Sequence, residues 1–276
     1  MSRSSTFFAD AVAVVTGAGS GIGRALAIEL AQRGAQVAIC DVDTQGLAET
    51  EASIQKAGGA VKSDFLDVTE RERVEAYAAD VADHFGRINM IFNNAGIAFT
   101  GDIEAMEYKH LEKVMDVDYW GVVNGTKAFL PYLIASGDGH VVNISSVFGI
   151  ISVPTQGAYN AAKFAVRGFT EALRMEMIAR RRPVKVTCVH PGGIKTNVAR
   201  NAGQVDGLNH DELASSFDKV ARTTPAQAAK VILRGVEKGK PKVLIGVDAY
   251  AIDFMARIGG SAYQRLVARG AGRAGL

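Results

Sequence analysis

Seven apolar runs rich in β-branched residues recur along the chain, at residues 11–16, 36–40, 60–63, 89–92, 140–145, 184–189 and 243–246. Helical periodicity fills the intervals, at 21–33, 44–57, 69–85, about 108–134, about 159–181 and 225–237. Runs that are apolar without a break suit strands covered on both faces, and strict strand–helix alternation makes each connection a helical crossover. The pattern predicts an α/β fold, a doubly wound parallel sheet of about seven strands with helices on both faces. No Pro/Gly/Ser linker, charge block or repeat divides the sequence, so a single domain over 1–276 is expected, its core spanning about 11–246.

The first strand-to-helix turn, "VTGAGSGIGRAL", places Gly17, Gly19, Gly21 and Gly23 on alternate positions. The usual dinucleotide pattern, G-x-G-x-x-G, fits in no register, because Ile22 or Arg24 stands where the last glycine belongs. The context is nevertheless that of a phosphate-binding turn: a strand, a glycine loop that lets backbone N–H groups approach a pyrophosphate, and a helix closed by Gly34. Such a site also calls for an acid about 20 residues on, to accept from the adenosine ribose hydroxyls. Asp41 follows "QVAIC" at the end of the second strand, with Asp43 on the same strand face. A carboxylate there repels a 2′-phosphate, and Ser20 rather than a basic residue precedes Gly21, so NAD is expected over NADP. Read as structure alone, the same residues are a glycine-rich turn followed by a helix cap at Asp43.

Composition excludes several classes. With 48% hydrophobic and 22% charged residues and a net charge of +2, the chain suits a well-cored globule and offers no dedicated nucleic-acid surface. No apolar run approaches the roughly 18 residues of a membrane span, and the N-terminus has no signal-peptide core, so a cytoplasmic location is expected. Cys40 and Cys188 each sit in a strand-like run as small buried hydrophobes, not a disulfide framework. His84, His110, His140, His190 and His210 show no ligand spacing, so no metal is expected. Arg180, Arg181 and Arg182 end a helix before Pro183, where cations suit the helix dipole.

The segment from Ser145 to Lys163 carries the candidate chemistry. Tyr159 and Lys163, four apart on a predicted helix, share a face. A phenol titrates near 10, too high for a base at neutral pH, and a nearby ammonium favours the phenolate and lowers that value. Ser146 ends a strand just upstream, where its hydroxyl can meet a substrate oxygen. A tyrosine beside a lysine on a surface helix is the bland alternative, and the glycine loop weighs against it.

Together "TGAGSGIG", "NNAG", the "YNAAK" that follows a serine thirteen positions upstream, and "HPGGIKT" resemble the ordered signature of the short-chain dehydrogenases/reductases, over roughly residues 11–246. In that family the loop reads T-G-x-x-x-G-x-G, which falls on Thr16, Gly17, Gly21 and Gly23 and leaves Gly19 optional. The resemblance implies a Rossmann fold and a cofactor site formed by Gly17, Ser20, Gly21, Ile22, Gly23 and Asp41. Asp67 and Val68 would cap the adenine. Asn94, Ala95 and Gly96 would lie beside the cofactor, and Pro191, Gly192, Ile194 and Thr196 would reach the nicotinamide carboxamide. It implies Ser146, Tyr159 and Lys163 as the catalytic set, with Lys163 also on the nicotinamide ribose. The family usually places asparagine where Asp118 stands, holding a water that links the lysine to solvent. An aspartate accepts from that water but cannot donate, and its charge favours the protonated lysine.

The expected function is NAD-dependent interconversion of a secondary alcohol and a ketone. The alternatives are an NADP-linked ketoacyl-type reductase and a non-catalytic nucleotide sensor on the same fold. Phe148, Ile150, Ile151 and Val153, in the loop after Ser146, suggest an apolar substrate. Residues 197–224 are expected to form a lid over it. Residues 248–276 read as a helical tail, with Ile252, Met255 and Ile258 at helical spacing. A homo-oligomer, tetramer or dimer, is implied by the resemblance.

Overall fold

The computed structural model describes residues 7–196, 203–205 and 221–273. Nine strands occur among them: β1 (Val12–Thr16), β2 (Gln36–Asp41), β3 (Val61–Phe65), β4 (Met90–Asn93), β5 (Phe99–Thr100), β6 (Gly139–Ile144), β7 (Val184–Pro191), β8 (Gly203–Gln204) and β9 (Lys242–Ile245). Seven of them form one sheet in the order β3-β2-β1-β4-β6-β7-β9, every pair parallel. The helices are α1 (Gly21–Gln32), α2 (Thr44–Lys56), α3 (Arg71–Phe85), α4 (Tyr108–Met115), α5 (Gly121–Ser136), α6 (Gly157–Ala179), α7 (Pro225–Glu237), α8 (Val247–Gly259) and α9 (Tyr263–Arg273). The seven-stranded sheet and the C-terminal helices are those expected from the sequence. The short parallel pair β5–β8 is not, because two-residue strands leave no periodic trace.

The unbroken apolar strands are explained by two cores. In β1, Ala13 and Val15 face a cluster with Leu26, Leu30, Ile232 and Leu233 of α1 and α7. Val12 and Val14 face the opposite cluster, with Val81, Phe129, Leu133 and Leu173 of α3, α5 and α6. Alternate residues of one strand therefore bury against different helical layers. Caps sharpen the helix ends: Asp43 accepts from the Gly46 N–H (3.0 Å) at α2, and Thr224 with Gln227 forms a capping box at α7.

Two boundaries carry functional weight. Strand order reverses direction between β1 and β4, which opens a crevice at their carboxyl ends. The long helix expected over 108–134 is interrupted: α4 and α5 are joined by a π turn at Asp116–Trp120, a wider turn with one extra residue. No helix of the described residues is long and apolar enough to cross a membrane.

Candidate active site

The crevice between β1 and β4 is lined first by backbone. Gly17 takes φ +65°, and a Cβ there would stand 2.7 Å from the Ala95 Cα. At Gly23 a Cβ would run into the Gly17 carbonyl, so the loop closes this tightly only without side chains. Gly21, at φ +54°, faces Thr196, whose Cγ2 would lie 3.3 Å from an added Cβ. The segment after β7 is thereby brought beside the glycine loop. Ser20 is the N-cap of α1 with no side-chain cap bond, which leaves the first-turn N–H groups directed at the crevice. Ile22 packs its side chain into the core beneath.

Polar side chains lock this loop. The Thr16 hydroxyl accepts from the Asn94 and Ala95 N–H groups (3.0 and 3.1 Å), and the Asn94 amide donates to the Thr16 and Gly17 carbonyls (3.0 and 3.1 Å). Asp41, at the tip of β2, accepts from the Gly19 N–H (2.7 Å) and the Asp43 N–H (2.9 Å). Its carboxylate is thus fixed beside the loop. Arg24 donates to the Gly19 and Gly46 carbonyls and pairs with Glu49 at 2.9 Å, so its charge is met within the protein. Asp67 accepts from the Thr69 N–H and hydroxyl (2.9 and 2.8 Å), while the Val68 carbonyl holds the Asn124 amide (2.9 Å). These residues fit a nicotinamide dinucleotide: glycines at 17 and 23 let backbone pack on backbone, and the start of α1, with no side-chain cap at Ser20, is left open to a pyrophosphate.

The second half of the crevice is built from side chains. Ser146 follows β6 and accepts from the Phe148 N–H (3.1 Å). Tyr159 and Lys163 lie one turn apart on α6, the Lys163 Nζ 5.4 Å from the phenol ring centroid. Lys163 is buried and donates to the Ile144 carbonyl (3.2 Å). Asp118, fully buried on the π turn, takes the Ile97 N–H on Oδ1 (2.7 Å) and holds Oδ2 3.0 Å from the Lys163 Nζ. Gly96 roofs this pair: a Cβ there would lie 3.3 Å from both carboxylate oxygens and from Nζ.

Lys163 lowers the Tyr159 phenol in the expected sense, but the net shift is upward. Although Tyr159 keeps a partly exposed edge, desolvation of its hydroxyl pushes the phenol above its ordinary value, and the Asp118 charge adds to that. Lys163 and a hydrogen bond with Ser146 oppose the shift without reversing it. Burial also lifts the Asp118 carboxyl, against the pull of Lys163 and the Ile97 N–H. Burial lowers Lys163, yet Asp118 and then Tyr159 outweigh it and the net shift is upward. The short separation and the Ile97 N–H on the carboxylate support the ionised pair.

Several expected positions take other parts. Ile194 is buried in the core and pairs with Thr223 as a parallel bridge. Pro191 pairs with Ile245, the Gly192 N–H donates to the Ile245 carbonyl (2.9 Å), and the Gly193 N–H donates to Asp248 (2.7 Å), which anchors α8 beside this loop. Ile150 and Ile151 are buried, so Phe148 and Val153 are the loop residues left facing outward. Of the expected lid over 197–224, residues 197–202 and 206–220 lie outside the described residues. Sequence reasoning missed the parts played by Asn143, Asp248 and His190. The Asn93 amide donates to Asn143 (2.8 Å) and the Asn143 amide to Thr170 (3.0 Å), a buried chain tying β4 and β6 to α6. The His190 Nδ1 meets the Ser146 carbonyl at 2.9 Å, so the ring donates there. A polar residue in an otherwise apolar strand run is the one sign of such roles.

Comparison with known proteins agrees with this geometry. Residues 11–206 match the family model for short chain dehydrogenase. A Mycobacterium tuberculosis protein named as an oxidoreductase, SadH, is 61% identical over 95% of this chain and 96% of its own length. Among solved structures, a short chain dehydrogenase/reductase from Burkholderia phymatum in complex with NAD superposes with a TM-score of 0.84 at 27% identity, covering 91% of this chain and 94% of that one. Levodione reductase superposes with a TM-score of 0.79 at 30% identity, covering 89% and 98%. This chain therefore belongs to the short chain dehydrogenase family and is one of its oxidoreductase enzymes.

Proposed function

We propose that this enzyme interconverts a secondary alcohol and a ketone with NAD, Tyr159 acting as acid or base, Ser146 polarising the substrate oxygen and Lys163 supporting the phenol. The observation that carries the reading is the grouping of Ser146, Tyr159 and Lys163 at the end of β6, across the crevice from a glycine-rich loop packed backbone on backbone. The nicotinamide, when bound, gives or takes the hydride at its C4. In reduction the Tyr159 O–H donates to the carbonyl oxygen while Ser146 donates a hydrogen bond to the same oxygen; in oxidation the phenol oxygen takes the alcohol proton.

NAD is favoured over NADP by Asp41, whose carboxylate is held at the tip of β2 by two N–H groups, and by the neutralisation of Arg24 through Glu49. The Phe148 ring, edge-on to Tyr159 at 6.1 Å, favours an apolar substrate. Exposed Trp120, Met175 and Ile178 on the π turn and α6 favour association of copies through these helices, and the continuous sheet favours one domain. The test is a thermal shift with NAD and NADP measured separately, followed by turnover of a panel of secondary alcohols and ketones by the wild type and Tyr159→Phe. Stabilisation by NAD with Tyr159-dependent turnover is expected. Cofactor binding with no Tyr159-dependent turnover on any panel member would favour the sensor.

A further inference from the structure

The buried acid beside Lys163 bears on the proton state of Tyr159. Asp118 and Lys163 form a pair that is shut off from water, with the Gly96 backbone over it and the Ile97 N–H on the carboxylate. Tyr159 lies on the other side of Lys163, one helical turn away. Among the described residues, the other groups around the trio carry no charge: the Ser146 hydroxyl, the Ile144 carbonyl, the Phe148 ring, the Cys188 thiol, pushed up to about 12 by burial, and His190, pushed down to about 4. Charge can therefore be counted over three residues. With an ammonium, a carboxylate and a phenol the sum is zero, and ionising the phenol leaves an uncompensated negative charge in a desolvated site. With a neutral amide at position 118 the count inverts, because the phenolate is then the form that balances the ammonium. A buried site favours the balanced form in each case.

We propose that Asp118 is a positioning residue that sets the resting proton state of Tyr159: by engaging the Lys163 ammonium it keeps Tyr159 a proton donor at neutral pH, so carbonyl reduction starts from the resting form and the phenolate from which alcohol oxidation starts forms only at higher pH. The proposal rests on the function proposed above. In reduction the carbonyl carbon would take the hydride that a reduced nicotinamide supplies, the Tyr159 O–H bond breaks, and its proton goes to the carbonyl oxygen to give the alcohol. The phenolate left behind recovers a proton from water. Alcohol oxidation needs the phenolate at the start, so it strengthens as pH rises.

The test reads Tyr159 directly, in the full chain without cofactor or substrate. Ultraviolet titration of tyrosinate, taken as the difference between each protein and its Tyr159→Phe counterpart, gives the Tyr159 midpoint. The wild-type midpoint is expected above the ordinary phenol value, and Asp118→Asn is expected to lower it by about one pH unit or more. Asp118→Glu, which keeps the charge, is expected to stay near the wild type; a merely structural role for Asp118 would not separate these two variants by charge. Asp118→Ser serves in place of Asp118→Asn if the amide does not fold. In turnover, Asp118→Asn is expected to shift both the rising limb of alcohol oxidation and the falling limb of ketone reduction to lower pH. A wild-type midpoint well below the ordinary phenol value, or an unchanged midpoint in the charge-removed variant, would overturn the proposal. Absence of turnover on every substrate would sink the proposed function instead, while the titration would still decide the role of Asp118.

Discussion

The two halves of the crevice are built from opposite materials. Around Gly17, Gly21 and Gly23 the surface is backbone, and its capacity to bind comes from side chains that are missing. Around Ser146, Tyr159 and Lys163 the surface is side chain, and its chemistry comes from charges buried where water cannot weaken them. The first half tolerates no added atom, and the second tolerates no unbalanced charge. A substitution should therefore act by volume in one half and by proton or charge in the other.

The largest separation is expected from Tyr159→Phe. Removing one oxygen from the catalytic half should lower turnover by about 10²–10⁴-fold, while NAD affinity measured by calorimetry stays within about threefold, since the glycine loop is untouched. Loss of NAD binding in this variant would show that the two halves are not separable. Gly23→Ala makes the reverse test. Its Cβ meets the Gly17 carbonyl, which is backbone and cannot rotate away, so a destabilisation of about 1–3 kcal/mol is expected. NAD affinity should weaken at least about tenfold with it, which is about 1.4 kcal/mol.

A smaller effect is expected at the adenosine end. Asp41→Ser removes the carboxylate while leaving a hydroxyl near the Gly19 N–H, and the preference for NAD over NADP should narrow by about tenfold in relative Kd. An unchanged ratio would mean that Asp41 serves only to hold the loop. A last effect concerns acid and touches stability rather than binding. Burial pushes His140 and His190 down to about 4, against an ordinary value of 6.5. Their folded values lie below their unfolded ones, so the unfolded chain takes up protons first and stability falls as pH drops from about 6.5 towards 4. Each residue contributes at most about 3 kcal/mol to that fall. His140 lies at the start of β6 and His190 near the end of β7, beside Ser146, and His190→Gln should flatten the dependence of Tm on pH over that window. The same slope in wild type and variant would remove His190 from the account.

The two halves were also unequally legible. The sheet, its order of strand and helix, and the glycine loop follow from periodicity and composition, because the chain must bury continuous apolar strands and because glycine is required where backbone meets backbone. Asp41 was found by its distance along the chain from that loop. The pairing of Tyr159 with Lys163 was visible as a four-residue spacing, but its consequence was not. Spacing shows that a lysine is near, and only the fold shows that Asp118, more than forty positions away, has already engaged its charge. Asn143, His190 and Asp248 were unreadable for the same reason: each meets a partner far along the chain that no local pattern announces. The break between α4 and α5 was missed because a π turn keeps helical composition and alters only the count of residues per turn.

That one surplus residue is a phase slip. Each residue of a helix advances the side-chain direction by about 100°, so the apolar stripe of α5 does not continue the stripe of α4. Val114 and the residues before it turn towards Phe99, Met106 and Ala162, whereas Phe129 and Leu133 turn towards α3 and the sheet. One rod of nearly thirty residues thereby serves two separate cores, and Asp118 sits at the joint where its direction changes. The aim of the carboxylate at Lys163 is set by a residue count rather than by a rotamer, so shortening this turn by one position would redirect the carboxylate with no change in any side chain.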